Sequence, residues 1–438
     1  MSSRLGLLTQ NKYSAVVNIF GDSENTIKEL EGLGAIDLTK YYQRHLKKYK
    51  RMKLRMKILA EKKEKKIKAL AEAKGVDPST IDPETVYVSD VSDSELKGSG
   101  STTGSEAEDL LEMFQTDIES RADDGLFINP ASTNLNLNDF VPSDEMKYRE
   151  EHVTDKGYYS FYQSDVEVPI QVVEQSQLNI PETLKAYTFP RGNLSDFPHP
   201  RIKGGLKVFN YYCMDAASLL PVIALDIQPK DQVADFCSSP GGKALAMAIS
   251  LRPSRILCNE LSVSRMNRLQ TVLRSYIPRM DAINELIELR EGDACEIKEL
   301  NSFDRILLDA PCTNDRRSVV SDENNMFKTS RVKERVDLPQ LQHRLLTHAI
   351  RCLKPGGSLV YSTCSMSPIQ NDGVVHMALK QIQEETDIKV EVVDLKEAVR
   401  PLRGLFRFHR HFKYGQQVVP FIPSNFGPMY FAKINRIK

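Results

Sequence analysis

An alternation of short apolar runs with amphipathic stretches begins near Phe197, and it restricts the fold more than any other feature of the chain. Apolar runs with helices on both sides are typical of strands buried on both faces of a parallel sheet with right-handed crossovers. The predicted strands are 232–236, 255–259, 287–290, 304–309 and 358–362, and the predicted helices are 243–250, 264–276, 338–353 and 368–385. Segments 418–422 and 429–434 have no helix between them, so an antiparallel pair should complete this α/β sheet.

The part of the chain before this alternation is organised by charge. Residues 41–74 are dense in Lys and Arg with apolar residues at helical spacing, which predicts a long basic helix over 41–76. Residues 77–147 are acidic and low in complexity, and they are predicted to be disordered. The two segments are either a solvated helix and a linker that partly neutralise each other or an arm that grips RNA phosphates.

Length and charge limit the remaining organisation. With 438 residues, the chain has room for one large domain, predicted over 197–438, plus extensions. Residues 1–40 are predicted to form a helical segment, and 148–196 a linker or small subdomain. The formal net charge is zero, so a nucleic-acid partner must be argued from the distribution of charge.

Membrane, disulfide and metal chemistry find little support in the sequence. No run approaches the roughly 18 apolar residues of a membrane span, so no membrane partner is expected. The seven cysteines are odd in number and include no CxxC pair, which argues against a disulfide framework and a zinc site and indicates reduced thiols. The first 12 residues show no clear presequence.

The first predicted strand leads into a glycine turn, Cys237-Ser-Ser-Pro-Gly-Gly-Lys243, that opens a helix. In an open α/β sheet such a loop lies at the carboxyl edge of the strands, where ligands bind. The spacing is neither GxGxxG nor a Walker loop, which disfavours a dinucleotide pyrophosphate or a nucleoside triphosphate.

Acidic residues end the next three predicted strands. Glu260, Asp293 and Asp309 lie at successive strand ends without a metal-ligand pattern. An acid after the second strand accepts hydrogen bonds from ribose hydroxyls. The set therefore fits an adenosine-containing cofactor that carries a cationic sulfonium. The alternative is that Gly241 and Gly242 only permit a tight turn and that each acid is a solvated loop residue.

Two cysteines, Cys312 and Cys364, follow strand ends beside this predicted site, whereas Cys213, Cys258 and Cys352 are expected to pack as small apolar side chains. Ser367 and Pro368 predict a helix start just beyond Cys364. The helix terminus and Lys243 should lower the pKa of that thiol. Carbon 5 of cytosine is a poor nucleophile until a thiolate adds at carbon 6, so a thiol, an acid and a base together suit methylation of that carbon.

Three motifs in this order resemble those of the Nol/Nop/Sun-type RNA cytosine-5 methyltransferases. Cys237-Ser-Ser-Pro-Gly-Gly-Lys243 resembles the CAAPGGK motif, Asp309-Ala-Pro-Cys312 resembles motif IV, and Ser362-Thr-Cys364-Ser resembles the TCS motif. The likeness covers about 197–438 and is greatest to the mitochondrial ribosomal-RNA branch, through Tyr212-Cys-Met-Asp-Ala-Ala-Ser-Leu-Leu-Pro221, Glu323-Asn-Asn and Asn425-Phe-Gly-Pro-Met-Tyr-Phe431.

The resemblance implies a class I, Rossmann-like methyltransferase fold with a mostly parallel seven-stranded sheet and a helical N-terminal extension. It implies S-adenosyl-L-methionine as the cofactor, bound by Gly241, Gly242, Lys243, Glu260, Arg265, Asp293 and Asp309. The implied nucleophile is Cys364, with Cys312 assisting product release and with Lys243 and Asp309 reaching the target base. DNA cytosine methyltransferases use the motif IV cysteine instead, so the two thiols could exchange roles.

The long loop 313–336 carries the predicted RNA contacts, Arg316, Arg317, Lys328 and Arg331. Residues 403–414 interleave basic and aromatic side chains, which fits either RNA stacking or, more simply, a half-buried strand. The resemblance implies structured RNA, most simply ribosomal, as substrate, a mitochondrial location with a role in ribosome assembly, and a helical-repeat partner of the transcription-termination-factor type. The alternatives are a transfer-RNA methyltransferase, an assembly factor that binds RNA without catalysis, and a small-molecule methyltransferase.

Overall fold

The computed structural model describes residues 2–74, 76–81, 86–87, 170–278, 285–323, 325–409 and 412–438. Most of the predicted acidic segment 77–147 and the first part of 148–196 lie outside these residues. The described residues belong to two compact units, one from 1–39 and 170–438 and the other from 40–87. Among them, no helix is both long enough and apolar enough to cross a membrane.

Strands and helices alternate through the larger unit. The strands are β1 (Ser14–Val17), β2 (Ile36–Asp37), β3 (Gln171–Glu174), β4 (Ala186–Thr188), β5 (Tyr211–Met214), β6 (Gln232–Asp235), β7 (Arg255–Glu260), β8 (Ile287–Glu291), β9 (Phe303–Asp309), β10 (Leu353–Thr363), β11 (Val390–Asp394), β12 (Gln416–Val418) and β13 (Met429–Arg436). The helices are α1 (Ser2–Leu8), α2 (Ser23–Gly32), α3 (Leu38–Lys74), α4 (Leu220–Leu225), α5 (Gly242–Ile249), α6 (Val263–Tyr276), α7 (Asp315–Val320), α8 (Val332–Cys352), α9 (Val374–Glu385) and α10 (Lys396–Val399).

The main sheet has the order β3-β11-β13-β10-β9-β6-β7-β8, and β12 also pairs with β13. Strands β6 to β10 run parallel, while β13 is antiparallel to β10, β11 and β12. The α/β prediction and the antiparallel closing pair are confirmed. The described sheet adds β3 and β11 to the predicted seven strands. All four residues of β3 are exposed, and β11 has acidic residues at two of its five positions, so neither produces a clear apolar run.

The prediction of a helical segment over 1–40 is correct only in part, for α1 and α2. Strands β1 and β2 lie in it, and they join β4 and β5 in a second sheet of order β2-β4-β1-β5. Ser14 pairs with Thr188 on one side and with Met214 on the other. These partners lie far along the chain, and a four-residue strand is too short for periodicity to identify it.

Two predicted helix starts also change. Helix α8 begins at Val332, six residues before the predicted start at residue 338, and it contains Pro339. The predicted helix over 368–385 begins with an irregular π turn at Ile369–Gly373, and the regular helix α9 starts only at Val374.

The core lies between the main sheet and helices α8 and α9. Phe303, Leu345, Leu359, Val375 and Ile434 are almost fully buried in one apolar cluster that both layers share. Burial of each such side chain contributes about 1.5–3 kcal/mol. This packing fixes the positions at which β6, β9 and β10 end.

Candidate active site

The carboxyl ends of the parallel strands bring five functional side chains to one edge of the sheet. In sheet order they are Cys364 after β10, Asp309 at the end of β9, Asp235 at the end of β6, Glu260 at the end of β7 and Asp293 after β8. The chain passes from β6 outward to β8 and then returns to β9 on the other side of β6. Ligands bind at such a switch point in open α/β sheets.

The loop between β6 and α5 requires glycine at two positions. Gly241 has φ of 110°, and a Cβ atom there would lie 2.9 Å from Leu269 Cδ1. A Cβ atom on Gly242 would lie 2.8 Å from Tyr212 Cε1. Only glycine has ready access to this positive φ and to such close approach. The backbone therefore passes tightly between α6 and Tyr212 at the rim of the site.

Asp235 is an acidic residue of the site that the sequence analysis did not select. Its side chain is 1% exposed, and neither carboxylate oxygen has a hydrogen-bond partner among the described residues. Burial and, to a smaller extent, the negative charge of Asp309 raise the pKa of this carboxyl to about 7, although the charge of Lys243 opposes them. A buried acceptor without a donor indicates that a ligand with a positive charge or N–H groups fits here.

Glu260 is buried and held from three sides. Its carboxylate accepts the backbone N–H groups of Ser239 and Ser262, each at 3.3 Å, and lies 3.3 Å from the guanidinium of Arg265. Arg265 also donates to the carbonyl of Ser239 at 3.1 Å. The contacts of Arg265 are thus with Glu260 and the loop, while the carboxylate oxygens keep lone pairs for ribose hydroxyls.

Asp293 lies at the far end of the site. Its Oδ1 accepts the backbone N–H of Cys295 at 2.9 Å and so caps the short helical turn Ala294–Glu296. Arg290 donates to the Asp293 carbonyl at 3.1 Å and to Asn259 Oδ1 at 2.5 Å. These contacts hold the carboxyl group at the strand edge.

Lys243 and Asp309 form an ion pair at the centre of the site, with 2.7 Å between Nζ and Oδ2. Ser362 on β10 donates to the other oxygen of Asp309 at 2.7 Å. Asp309, with its paired oxygens, raises the pKa of Lys243 despite burial. The lysine therefore stays cationic and anchors the carboxylate.

Cys312 and Cys364, the two cysteines predicted to lie beside the site, are in contact with each other. The sulfur atoms of Cys312 and Cys364 lie 3.1 Å apart, and both residues are partly buried. Of the other cysteines, Cys258 and Cys352 are buried, and Cys213, Cys237 and Cys295 are partly buried. Two thiols within contact distance, beside a carboxylate and an ammonium group, are able to share one nucleophilic and one proton-transfer role.

The expectation of a lowered thiol pKa is wrong for this structure. The hydrogen bond with Cys312, burial and the charge of Asp309 raise the pKa of Cys364 well above its ordinary value, and Lys243 opposes them only in part. The ammonium is already paired with Asp309, and the regular helix starts at Val374, ten positions after the thiol, so its terminal field is weak there.

The predicted RNA contacts divide into three kinds. Arg317 and Lys328 are exposed, whereas Arg331 pairs with Glu334 on the same helix start. Arg316 is largely buried, and its guanidinium donates to the carbonyls of Gly427, Gly6 and Thr9 and to Asn425 Oδ1. The placement of Arg316 on an RNA surface is therefore wrong, because these acceptors from distant segments occupy it.

The residues fit the cofactor class that the sequence predicts. The Asp235 carboxylate suits a cationic centre, and Glu260 and Asp293 suit hydroxyl groups. In the described part of the chain, no group of three or more His, Cys, Asp or Glu side chains is arranged to hold a metal ion.

Comparison with known proteins gives consistent matches. Residues 222–434 match the family described as 16S rRNA methyltransferase RsmB/F. The chain is 41% identical over 263 residues to the 5-cytosine rRNA methyltransferase nsun-4 of Caenorhabditis elegans, covering 59% of this chain and 56% of that protein. It is 39% identical over 305 residues to the 5-cytosine rRNA methyltransferase NSUN4 of Mus musculus, covering 69% and 80%. It is 36% identical over 229 residues to the mitochondrial tRNA (cytosine(34)-C(5))-methyltransferase of Danio rerio, covering 52% and 61%.

Proposed function

The chain belongs to the RsmB/F family of rRNA methyltransferases, and from this membership we propose that it transfers a methyl group from S-adenosylmethionine to carbon 5 of a cytosine in ribosomal RNA. The observation that carries the proposal is the pair of sulfur atoms, 3.1 Å apart, beside the Lys243–Asp309 ion pair. A thiol pair next to an acid and an ammonium group has no use in a small-molecule methyltransferase that needs no covalent activation.

Each side chain of this cluster has a role in the proposed reaction. The Cys364 thiolate adds to carbon 6, and the electron pair of the 5,6 double bond makes carbon 5 nucleophilic. Asp309 takes up the proton that Cys364 releases and passes it to ring nitrogen 3, which stabilises the adduct. Cys312 assists removal of the carbon 5 proton, after which the carbon–sulfur bond breaks and the double bond re-forms.

The cofactor occupies the β6–β8 side of the edge in this proposal. S-adenosylmethionine supplies the methyl group and a positive sulfonium charge. Asp235 and Asp309 supply negative charge that suits the sulfonium. Glu260 and Asp293 accept hydrogen bonds from the ribose and adenine ends of the cofactor. Gly241 and Gly242 let the loop pack against α6 and Tyr212, which in this proposal places its backbone beside the cofactor, and Arg265 orients Glu260.

The nucleophile must lose a proton before it can attack. Lys243 stabilises the Cys364 thiolate, whereas burial and Cys312 favour the thiol. Methyl transfer should therefore rise with pH above neutrality, because the deprotonated fraction of Cys364 limits the rate.

A methyl-transfer assay tests the proposal directly. The protein is incubated with labelled S-adenosylmethionine and a ribosomal RNA fragment, and 5-methylcytosine is quantified by mass spectrometry. We expect Cys364→Ala to abolish transfer and Cys312→Ala to accumulate a covalent protein–RNA adduct that withstands denaturation. Activity that survives Cys364→Ala would reverse the assignment of the two thiols.

The same assay includes a transfer-RNA arm, because the zebrafish relative is named as a tRNA methyltransferase. Product on transfer RNA alone would favour that second function. RNA binding without product on either substrate would favour an assembly factor that does not catalyse methyl transfer.

We infer further that the protein acts in mitochondria, contributes to ribosome assembly there and works with a helical-repeat partner of the transcription-termination-factor type. The support is the name of the zebrafish relative and the motif likeness to the mitochondrial branch. Fractionation of cells that carry a tagged full chain, followed by mass spectrometry of co-purified proteins and mitochondrial ribosome profiles after depletion, tests all three points. A cytosolic location would contradict them.

A further inference from the structure

A buried polar network lies beside the two cysteines, and the proposed reaction steps do not use it. Asp315, at the start of α7, is its charged member and is 8% exposed. Its Oδ2 accepts the backbone N–H of Met366 at 2.7 Å. Its Oδ1 accepts the hydroxyl of Ser365 at 3.3 Å and the hydroxyl of Thr313. Three donors therefore converge on one carboxylate.

These donors come from the two loops that carry the cysteines. Thr313 directly follows Cys312, and Ser365 directly follows Cys364. The backbone N–H of Asp315 also donates to the carbonyl of Cys364 at 3.4 Å. Asp315 thus contacts the residue next to each thiol and the backbone of Cys364 itself.

Neutral amide side chains complete the network around the carboxylate. Gln370 accepts the backbone N–H of Thr313 and donates to its hydroxyl, each at 3.2 Å. Gln342 donates to the carbonyl of Pro311 at 2.7 Å.

Asn371 and Gln417 each donate to the carbonyl of Ser365 at 3.0 Å. Both loops are therefore held from behind by side chains of α8, the π turn and β12.

The chemistry of the position requires an acceptor with two equivalent oxygens. A carboxylate accepts at both oxygens, whereas an amide replaces one oxygen with an NH₂ donor. In Asp315→Asn, that NH₂ group would face the N–H of Met366 or one of the two hydroxyls. A buried donor would then lack its acceptor, and the contact between the loops would open.

We propose that Asp315 is a positioning residue that holds the Cys312 loop against the Cys364 loop, so that both sulfur atoms reach adjacent carbons of one nucleobase. This inference rests on the proposed function for its catalytic meaning. Whether Asp315 keeps the two sulfur atoms close together can be measured without RNA or cofactor.

The test measures how fast the two thiols join. Diamide, an azo oxidant, takes two electrons and two protons from a pair of thiols and leaves one disulfide. The full chain is treated with diamide for increasing times, and the peptide that links Cys312 to Cys364 is quantified by mass spectrometry under non-reducing conditions. We expect Asp315→Asn to slow this link at least about tenfold, since displacements near 1 Å have effects of that size or larger on reactions between held groups.

Two variants serve as controls. Asp322→Asn makes the same change at an exposed position of the same loop and should react at the wild-type rate. Ser365→Ala removes one donor to Asp315 and should slow the link less than Asp315→Asn does. If Asp315→Asn does not fold, as judged by thermal unfolding, Ser365→Ala alone decides. A wild-type rate in the folded Asp315→Asn protein, or failing that in Ser365→Ala, overturns the inference.

Steady-state kinetics add a second readout. Asp315→Asn should lower kcat for methyl transfer while leaving KM for S-adenosylmethionine unchanged, because Asp315 lies on the cysteine side of the edge and not on the β6–β8 side. A fall in kcat together with an equal-fold rise in KM for S-adenosylmethionine would indicate a general structural role and count against positioning. If the wild-type protein forms no 5-methylcytosine, the proposed function fails, but the diamide comparison still decides the role of Asp315.

Discussion

At the scale of single residues, the site holds two acids in opposite situations. Asp309 has a partner for each oxygen, Lys243 on one side and Ser362 on the other. Asp235 is buried without any hydrogen-bond partner for its carboxylate among the described residues. The first arrangement fixes the orientation of a carboxylate at the centre of the site, and the second leaves an acceptor ready for a ligand.

Replacement of Ser362 by alanine should reduce kcat for methyl transfer about tenfold. The hydroxyl donates to Asp309 at 2.7 Å, and a hydrogen bond to a charged group contributes about 1.5–3 kcal/mol. The matched control is Ser358→Ala on the same strand, whose hydroxyl donates to Asn435 Oδ1 at 2.8 Å. Equal loss of activity in both variants, measured with saturating substrates, would contradict a specific role for Ser362.

Replacement of Asp235 by asparagine should stabilise the ligand-free protein more at pH 8 than at pH 5. The folded pKa of about 7 lies above the ordinary value of 3.8, so the folded state binds the extra proton between these values. Stability is thus greatest below pH 4 and falls as pH rises through 7. At pH 8 the variant avoids a buried unpaired charge, with an expected gain of about 1–3 kcal/mol.

Thermal and urea unfolding at both pH values measure this difference, with the exposed Asp387→Asn as control. The same variant should bind S-adenosylmethionine more weakly, as measured by calorimetry at pH 8. A gain that does not depend on pH would show that the Asp235 carboxyl titrates normally.

At the scale of elements, the turn from β6 into α5 sets the shape of the cofactor side. Gly241 combines a positive φ with close contact to α6, and Gly242 lies against Tyr212. The loop reaches this position because β6 is central in the sheet and its end is fixed by the core.

Gly241→Ala should destabilise the protein by about 1–3 kcal/mol through backbone strain together with crowding against Leu269. Gly356→Ala separates the two effects, because Gly356 also has a positive φ, 81°, but a Cβ atom there has no neighbour within 4 Å. Denaturant unfolding of both variants measures the difference. Equal destabilisation would show that contact with Leu269 contributes nothing.

The strands also show which elements can be predicted from sequence patterns. Apolar runs predicted β6, β7, β9 and β10 within a few residues, since strands buried on both faces produce such runs. The prediction of β8 was also correct, although this edge strand has no fully buried residue. The apolar runs missed β1 to β5 and β11, which have five residues or fewer and pair with remote partners. The sequence motifs predicted that Cys312 and Cys364 lie beside the same site. Asp315 carries no local signal, because its donors at 365 and 366 come close only in the folded chain.

At the scale of the whole molecule, Arg316 connects the two ends of the chain. It donates to carbonyls of Gly6 and Thr9 near the start and to Gly427 near the end. Asn425 reinforces the same contact through its amide group, which donates to the carbonyl of Gly6 at 2.9 Å. The N-terminal segment is therefore part of the larger unit and not a separate appendage.

Arg316→Ala should destabilise the protein by about 2–4 kcal/mol, because several buried carbonyls lose their donor. Its neighbour Arg317 is exposed, so Arg317→Ala should change stability by less than about 0.5 kcal/mol. Under the proposed function, Arg317→Ala should instead weaken RNA binding and reduce its salt dependence. Unfolding curves and salt-titrated RNA binding separate the two variants, and the reverse pattern would contradict these assignments.

The second sheet has a consequence for synthesis of the chain. The hydroxyl of Ser14 donates to the carbonyl of Met214, and β1 lies between β4 and β5. At roughly 5–20 residues per second, translation reaches the codons of β5 about 10–40 s after those of β1. Until β4 is synthesised, the nascent β1 strand has both edges unpaired, and we expect chaperones that shield extended apolar peptides to bind it.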